Sequence, residues 1–135
     1  MTRWIVAYVA ALAVFVAGDM AWLTLMGPKL YRPVLGPMLA EKPDVKTAVV
    51  FYLLYLVGIV AFAVAPGLRA GRPLVALGWG ALFGLIAYSV YDLTNQATLK
   101  VWSVRLSLAD MAWGAVITGL AALAGCLAAR ALGKG

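Results

Sequence analysis

Three of the five acidic residues in this 135-residue chain lie inside long apolar runs, where ionisable side chains are rare. They are Asp19, Asp92 and Asp110. An aspartate at the centre of a membrane helix costs about 2.5 to 3.5 kcal/mol on insertion scales, so an acid in such a place is a candidate for a functional role. It could pair with a bound cation, or it could donate and accept a proton. These three residues are the first candidates for a site.

One stretch, AYSVYDLTNQATLK, places four polar side chains on one face of a helix. They follow the spacing i, i+3, i+4 and i+7, and they are Tyr88, Tyr91, Asp92 and Asn95. Tyr52 and Tyr55, in the preceding apolar run, can bring two further phenols to a similar depth. All of these groups can bond to a carboxylate or to a bound molecule.

The other two acids share a local sequence, GDMAW and ADMAW, with a tryptophan three residues after each aspartate. Because the two helices run in opposite directions, Trp22 lies outward of Asp19 while Trp113 lies inward of Asp110. We therefore expect Trp113 to form the wall of a pocket that Asp19 serves. Trp22 is expected to be an anchor at the membrane interface, as are two further aromatic residues, Trp102 and Tyr31.

The composition is that of an integral membrane protein. Hydrophobic residues make up 65% of the chain and charged residues 12%, which leaves too little polar surface for a soluble domain. Four apolar runs are near or above the ~20 residues that a bilayer core requires. They cover residues 4–26, 47–65, 74–97 and 106–131. We predict an all-α fold, a single transmembrane domain of residues 1–135 that forms a four-helix bundle with both termini on the same side.

The long connection between the first two runs covers residues 27–46. Its four prolines oppose one continuous helix, and apolar residues alternate with basic ones. We expect a linker that lies on the membrane interface as a short broken helix. A lid over a substrate site is the alternative.

The alternating direction of the helices gathers the acids in one leaflet, because the first and third helices end on the face where the fourth begins. From the rise per residue, Asp19, Asp92 and Asp110 lie roughly 10, 8 and 6 Å inside that surface. All four helices can thus supply polar groups to one half-membrane pocket. Clustered carboxylates disfavour one another's charge, which would permit a proton-coupled step. For Asp110, a structural role as a helix cap or a partner of Arg105 is equally open.

The absence of histidine narrows the chemistry further. Haem ligation by His, the usual His-containing zinc and iron centres, and His-based acid-base catalysis are closed to this chain. We therefore expect no metal site and no cofactor. The net charge of +6 resides at helix ends and loops, so the expected partner is membrane lipid and not nucleic acid.

The two D-x-x-W motifs, Asp19 with Trp22 and Asp110 with Trp113, and the block YDLTNxATL at residues 91–99 resemble a family of small bacterial predicted membrane proteins of unknown function. The resemblance covers nearly the whole chain. It implies a four-helix membrane protein and no established activity. We expect a multi-pass protein of the bacterial inner (cytoplasmic) membrane. The architecture is also loosely similar to that of small multidrug resistance transporters, which have an acid in the first of four helices.

Three functions are compatible with this pattern. The first is a protein whose acidic half-membrane pocket binds a cationic or amphiphilic small molecule or a lipid, with proton-coupled transport as an extension. Transport would require a homodimer, because four helices form a thin wall. The second is an intramembrane enzyme that acts on a lipid or isoprenoid, with Asp19 or Asp92 as general acid or base. The third is a structural or assembly subunit. Polar groups that converge from several helices favour the first, and the sequence leaves open whether the protein is an enzyme.

Overall fold

A computed structural model describes residues 1–133 as a helical bundle, and the last two residues of the predicted domain lie outside the described residues. The structure is 89% helical and residues 1–133 contain no strand, which confirms the all-α fold class. The described part of the chain has four helical spans long and apolar enough to cross a membrane, numbered here from first to fourth: Thr2–Met38, Val45–Ala70, Pro73–Thr98 and Val104–Gly133. That both termini share a side of the membrane stays a prediction.

The first span is longer than predicted. Its α-helix, Thr2–Met26, continues through a π-helical turn, Gly27–Tyr31. A short α-helix, Arg32–Leu35, and a 3₁₀ turn, Gly36–Met38, complete it. The segment expected to be a connection from residue 27 onwards is therefore helical as far as residue 38. The broken-helix character that the prolines indicate is present, but it belongs to the end of the first span.

Both π-helical turns end two residues before a proline. Pro33 follows the turn Gly27–Tyr31, and Pro66 follows the turn Val60–Val64 that comes after the α-helix Val45–Ile59 of the second span. A proline inside a helix clashes with the carbonyl group four residues earlier, which in each case lies within the π-helical turn. The wider π geometry gives the ring room at that carbonyl. The prolines therefore shape the spans without ending them.

Local interactions define where the later spans begin. Asp44 caps the second span and accepts hydrogen bonds from the backbone N–H of Thr47 at 3.2 Å and from its hydroxyl at 2.7 Å. The hydroxyl bond, with the backbone bond, holds the pKa of Asp44 below its usual range. Gly71 makes the tight turn into the third span at φ +65°, a conformation that glycine adopts without strain. Ser103 caps the fourth span, since its hydroxyl oxygen accepts from the N–H of Leu106 at 3.0 Å.

The fourth span is the centre of the bundle and packs mainly against the third and the first. Glycines allow the close approach. A Cβ added to Gly84 would overlap the carbonyl oxygen of Gly114, and one added to Gly80 would lie 3.0 Å from the Cα of Gly119. Gly125 similarly meets the backbone of the first span. Small residues therefore bring the backbones of the third and fourth spans into close contact.

Apolar and polar side chains occupy different parts of the bundle. The apolar core contains Phe15 of the first span, Leu56 and Ile59 of the second, and an alanine-rich face of the fourth. The polar side chains meet where the first and third spans end and the second and fourth begin. The topology thus brings residues far apart in sequence to one end of the bundle, and the apolar core closes the rest.

Replacing Gly84 by alanine should lower the free energy of unfolding by about 1–3 kcal/mol, because the new methyl group would overlap the fourth span. The matched control is Gly78→Ala, where an added Cβ has nothing within 4 Å and should gain up to about 1 kcal/mol from helix propensity. Equilibrium unfolding in mixed detergent micelles, followed by circular dichroism, measures both. Equal stabilities of the two variants would contradict the close contact.

Candidate functional site

A cleft of about 540 Å³ opens at the polar end of the bundle, and all four spans contribute to its lining. Its polar lining residues are Asp19, Tyr31, Tyr55, Tyr88, Tyr91 and Asp110. The larger part of its surface is apolar and comes from Leu23, Leu35, Leu39, Phe51 and Ala87. Two acids therefore stand at an otherwise aromatic and aliphatic cleft.

Every fourth residue from Asp19 to the residue after the first span lines the cleft. These are Asp19, Leu23, Gly27, Tyr31, Leu35 and Leu39, and within the helical part this spacing brings successive side chains to neighbouring positions. Four of these six residues lie in the segment expected to be a linker, and the sequence interpretation missed Leu35 and Leu39 as lining residues. The four-residue spacing that continues past residue 26 is the feature that could have revealed them.

Two apolar side chains that line the cleft are also exposed at the surface of the bundle. Leu23 of the first span and Phe51 of the second are 44% and 47% exposed. Leu35, which lines the cleft as well, is only 8% exposed. The apolar lining of the cleft is therefore partly open at the surface of the bundle and partly buried.

Asp19 receives a hydrogen bond from a tyrosine of the second span. The phenol of Tyr52 donates to its Oδ2 at 2.6 Å, and the ring of Tyr52 packs edge-on against Phe15 at 6.0 Å. Tyr52 lies behind the cleft lining. The indole nitrogen of Trp113 lies near the carboxyl group of Asp19, but it makes no hydrogen bond of normal geometry within residues 1–133. Asp19 is thus held from one side only.

Asp110 receives its hydrogen bond from the first span. The indole N–H of Trp22 donates to the phenol oxygen of Tyr31 at 2.8 Å, and that phenol donates to Oδ1 of Asp110. The rings of Trp22 and Trp113 stack at 4.8 Å with an angle of 4° between their planes. This chain of contacts joins the π-helical end of the first span to the start of the fourth. Asp110 therefore does not cap its helix, because Ser103 is the cap. Its hydrogen-bond partner is Tyr31, whereas Arg105 was the partner considered from the sequence.

The three aromatic residues expected to anchor the protein at the interface make hydrogen bonds within the protein. Trp22 and Tyr31 bond within the polar cluster, and the indole N–H of Trp102 donates to the hydroxyl of Ser107 at 2.8 Å. These bonds satisfy oxygen atoms that would otherwise lack donors. That the three residues lie at the membrane interface stays a prediction.

Asp92 does not line the cleft. Its side chain is fully buried beside the carboxyl group of Asp110, and among the described residues neither carboxyl oxygen has a hydrogen-bond partner. Its backbone carbonyl accepts from the hydroxyl of Ser107 at 3.2 Å. Asn95, the last residue of the predicted polar face, is half-buried and also outside the lining. Of that face, only Tyr88 and Tyr91 reach the cleft.

The remaining phenols lie deeper in the cleft. Tyr55 shares a hydrogen bond of 2.9 Å with Thr118 of the fourth span. The ring of Tyr88 packs on Gly114, where a Cβ would overlap it, and its hydroxyl lies near Asp19 and Asp110. Within residues 1–133, no group of three or more His, Cys, Asp or Glu side chains is arranged to hold a metal ion. The chemistry available is that of carboxyl groups held by phenols, which can accept N–H donors or exchange protons.

The comparison with known families agrees with this architecture. The family described as "Predicted membrane protein (DUF2177)" matches residues 4–127, nearly the whole chain, and this confirms the resemblance found in the sequence. No curated protein and no solved structure matches the chain significantly. The family supports a membrane protein and names no activity.

Replacing Tyr31 by phenylalanine should lower the free energy of unfolding by about 1–3 kcal/mol, because Asp110 would lose its donor and the indole of Trp22 its acceptor. The control is Tyr8→Phe, which removes one hydroxyl that donates to the backbone carbonyl of Leu53 at an exposed position. Unfolding in mixed micelles, followed by tryptophan fluorescence, compares the two. A loss for Tyr31→Phe no greater than that for Tyr8→Phe would contradict the proposed importance of this network.

Proposed function

We propose that this chain, which belongs to the DUF2177 family of predicted membrane proteins, binds a cationic amphiphile from the membrane in its cleft. The fold and the family show a multi-pass integral membrane protein with four candidate spans. The observation that carries the further step is that the carboxyl groups of Asp19 and Asp110 stand together at a cleft whose other walls are mainly apolar.

The hydrogen bonds of these carboxyl groups leave capacity for a ligand. Each accepts one bond from a neutral phenol, Asp19 from Tyr52 and Asp110 from Tyr31. An ionised carboxylate has about four acceptor positions, so most of them remain free. A phenol also brings no positive charge with it. An ammonium group with several N–H donors would supply both the missing charge and the missing hydrogen bonds.

The apolar walls favour a ligand with a hydrocarbon chain. Leu23, Leu39 and Phe51 continue the cleft away from the acids, and Leu23 and Phe51 are open to lipid. A chain lying along these residues would bury apolar surface on the protein side without leaving the hydrocarbon region. The ligand would therefore reach the site by lateral diffusion in one leaflet.

The alternatives have less support. Of the two acids considered for an acid-base enzyme, Asp92 is fully buried, so this alternative would depend on Asp19 alone. A purely structural network would not require an open cleft beside its acids. Transport would require a path to the other leaflet, and the apolar core around Phe15 and Ile59 fills that part of the bundle. Binding within one leaflet is the function that the geometry favours, with Asp19, Asp110 and Tyr88 as the polar contacts.

The replacement Asp19→Asn should weaken the binding of a long-chain primary amine by roughly 10- to 100-fold, because a hydrogen bond to a charged group contributes about 1.5–3 kcal/mol. Tritiated dodecylamine and the purified protein in phosphatidylcholine nanodiscs would provide the binding isotherm. Asparagine retains a carbonyl oxygen for the phenol of Tyr52, so the fold should survive.

The matched control is Asp44→Asn, which makes the same change at an exposed helix cap that does not line the cleft. This variant should bind dodecylamine as the wild type does, and dodecanol should not compete because it has no positive charge. Equal affinities of the Asp19→Asn and wild-type proteins would end the proposal.

A further inference from the structure

The carboxyl group of Asp92 does not line the proposed binding site, and it is the most deeply buried acid of the cluster. Its side chain is 0% exposed, and both oxygens lack a hydrogen-bond partner in the part of the chain that the structure describes. A buried ionised carboxylate without hydrogen-bond donors loses its hydration without compensation, which costs several kcal/mol. Such a group is stable inside a protein only if something neutralises it.

The groups that face Asp92 cannot neutralise it by charge. They are the carboxyl group of Asp110 on the fourth span, the phenol of Tyr31 on the first, and the phenol of Tyr91 on its own helix. The proton of the Tyr31 phenol is already donated to Asp110. The closest companion of Asp92 is therefore a second acid, and two adjacent carboxylates cannot both remain charged in an apolar site.

We propose that Asp92 is an un-ionised carboxylic acid at neutral pH, and that its O–H group donates to Asp110 and holds that carboxylate at the cleft. The pair then shares one proton and carries one negative charge. Asp110 receives two donors, the phenol of Tyr31 and the acid of Asp92, and turns its remaining acceptor positions to the cleft. Asp92 is a positioning residue, because it acts on the ligand through Asp110. This role rests on the proposed function, since it requires that Asp110 contacts the ligand.

The surroundings of Asp92 protect this proton from water. The hydroxyl of Ser107 donates to the backbone carbonyl of Asp92, and the indole N–H of Trp102 donates to that same hydroxyl. The ring of Trp102 stands edge-on to Tyr91 at 5.6 Å. These contacts lie beside Asp92 near the beginning of the fourth span.

Infrared spectroscopy tests the protonation directly and requires no ligand. An un-ionised carboxylic acid has a carbonyl stretching band that an ionised carboxylate lacks. The difference spectrum between wild-type protein and Asp92→Asn, recorded in lipid nanodiscs at neutral pH, should contain this band with the intensity of one group. The difference spectrum for Asp44→Asn should lack this band, because that exposed acid is ionised.

In Asp110→Asn the band of Asp92 should persist at a shifted frequency, since the group that accepts the hydrogen bond from Asp92 has changed. Absence of the band from the Asp92→Asn difference spectrum would overturn the proposal.

Dodecylamine binding tests the positioning role. Asp92→Asn keeps an N–H donor for Asp110 and should bind within about twofold of the wild type, whereas Asp92→Val has no donor and should bind roughly tenfold more weakly. Equal binding by wild type and Asp92→Val would refute the positioning role even if the infrared band is present. If the wild type itself does not bind dodecylamine, the proposed function fails while the infrared result still decides the state of Asp92.

Discussion

The organisation of this protein depends on one requirement, that a carboxyl group placed inside a membrane bundle must find hydrogen-bond donors. The two acids at the cleft find them in phenols from other spans. Tyr52 is 33 residues from Asp19, and Tyr31 is 79 residues from Asp110. Each bond therefore fixes the position of one span relative to another, and neither brings a positive charge that would cancel the acid. The hydrogen bonds that fix the spans relative to one another therefore leave the negative charge of each carboxylate uncompensated.

The rest of the bundle makes an open cleft tolerable. Glycines of the third and fourth spans bring the backbones into contact, so van der Waals packing holds this pair without large side chains. The apolar core then closes the part of the bundle away from the acids. Because these contacts stabilise the bundle away from the acids, the polar end can contain a cleft without being closely packed. Within the polar end, Asp92 is fully buried whereas Asp110 lines the cleft, so two adjacent acids have different surroundings.

The features visible in the sequence were those that depend on local pattern. Hydropathy predicted four spans, and the direction of the helices predicted that the acids would meet at one end. The helical spacing of Tyr88 and Tyr91 likewise placed them on a shared face, which lines the cleft. Tertiary contacts were not visible. Hydropathy cannot distinguish a lipid-facing indole from one that bonds inward, as Trp22 does, and the four-residue spacing cannot show that Asp92 lies behind its neighbours. Prolines indicated a break after residue 26, whereas the π-helical turn continues the helix.

The π-helical turn at Gly27–Tyr31 also affects how the chain can change in length. A π-helical turn holds about one residue more than an α-helical turn. Loss of a single residue there would restore ordinary helix and leave the direction of the helix beyond it nearly unchanged. The third span, Pro73–Thr98, is α-helical throughout, so loss of one residue from its interior would rotate everything beyond by about 100°. Tyr88 and Tyr91 would then turn away from the cleft if the residue were lost before them, although the hydropathy of the span would hardly change. The first span should therefore tolerate a one-residue deletion at its π-helical turn better than the third span tolerates one in its interior.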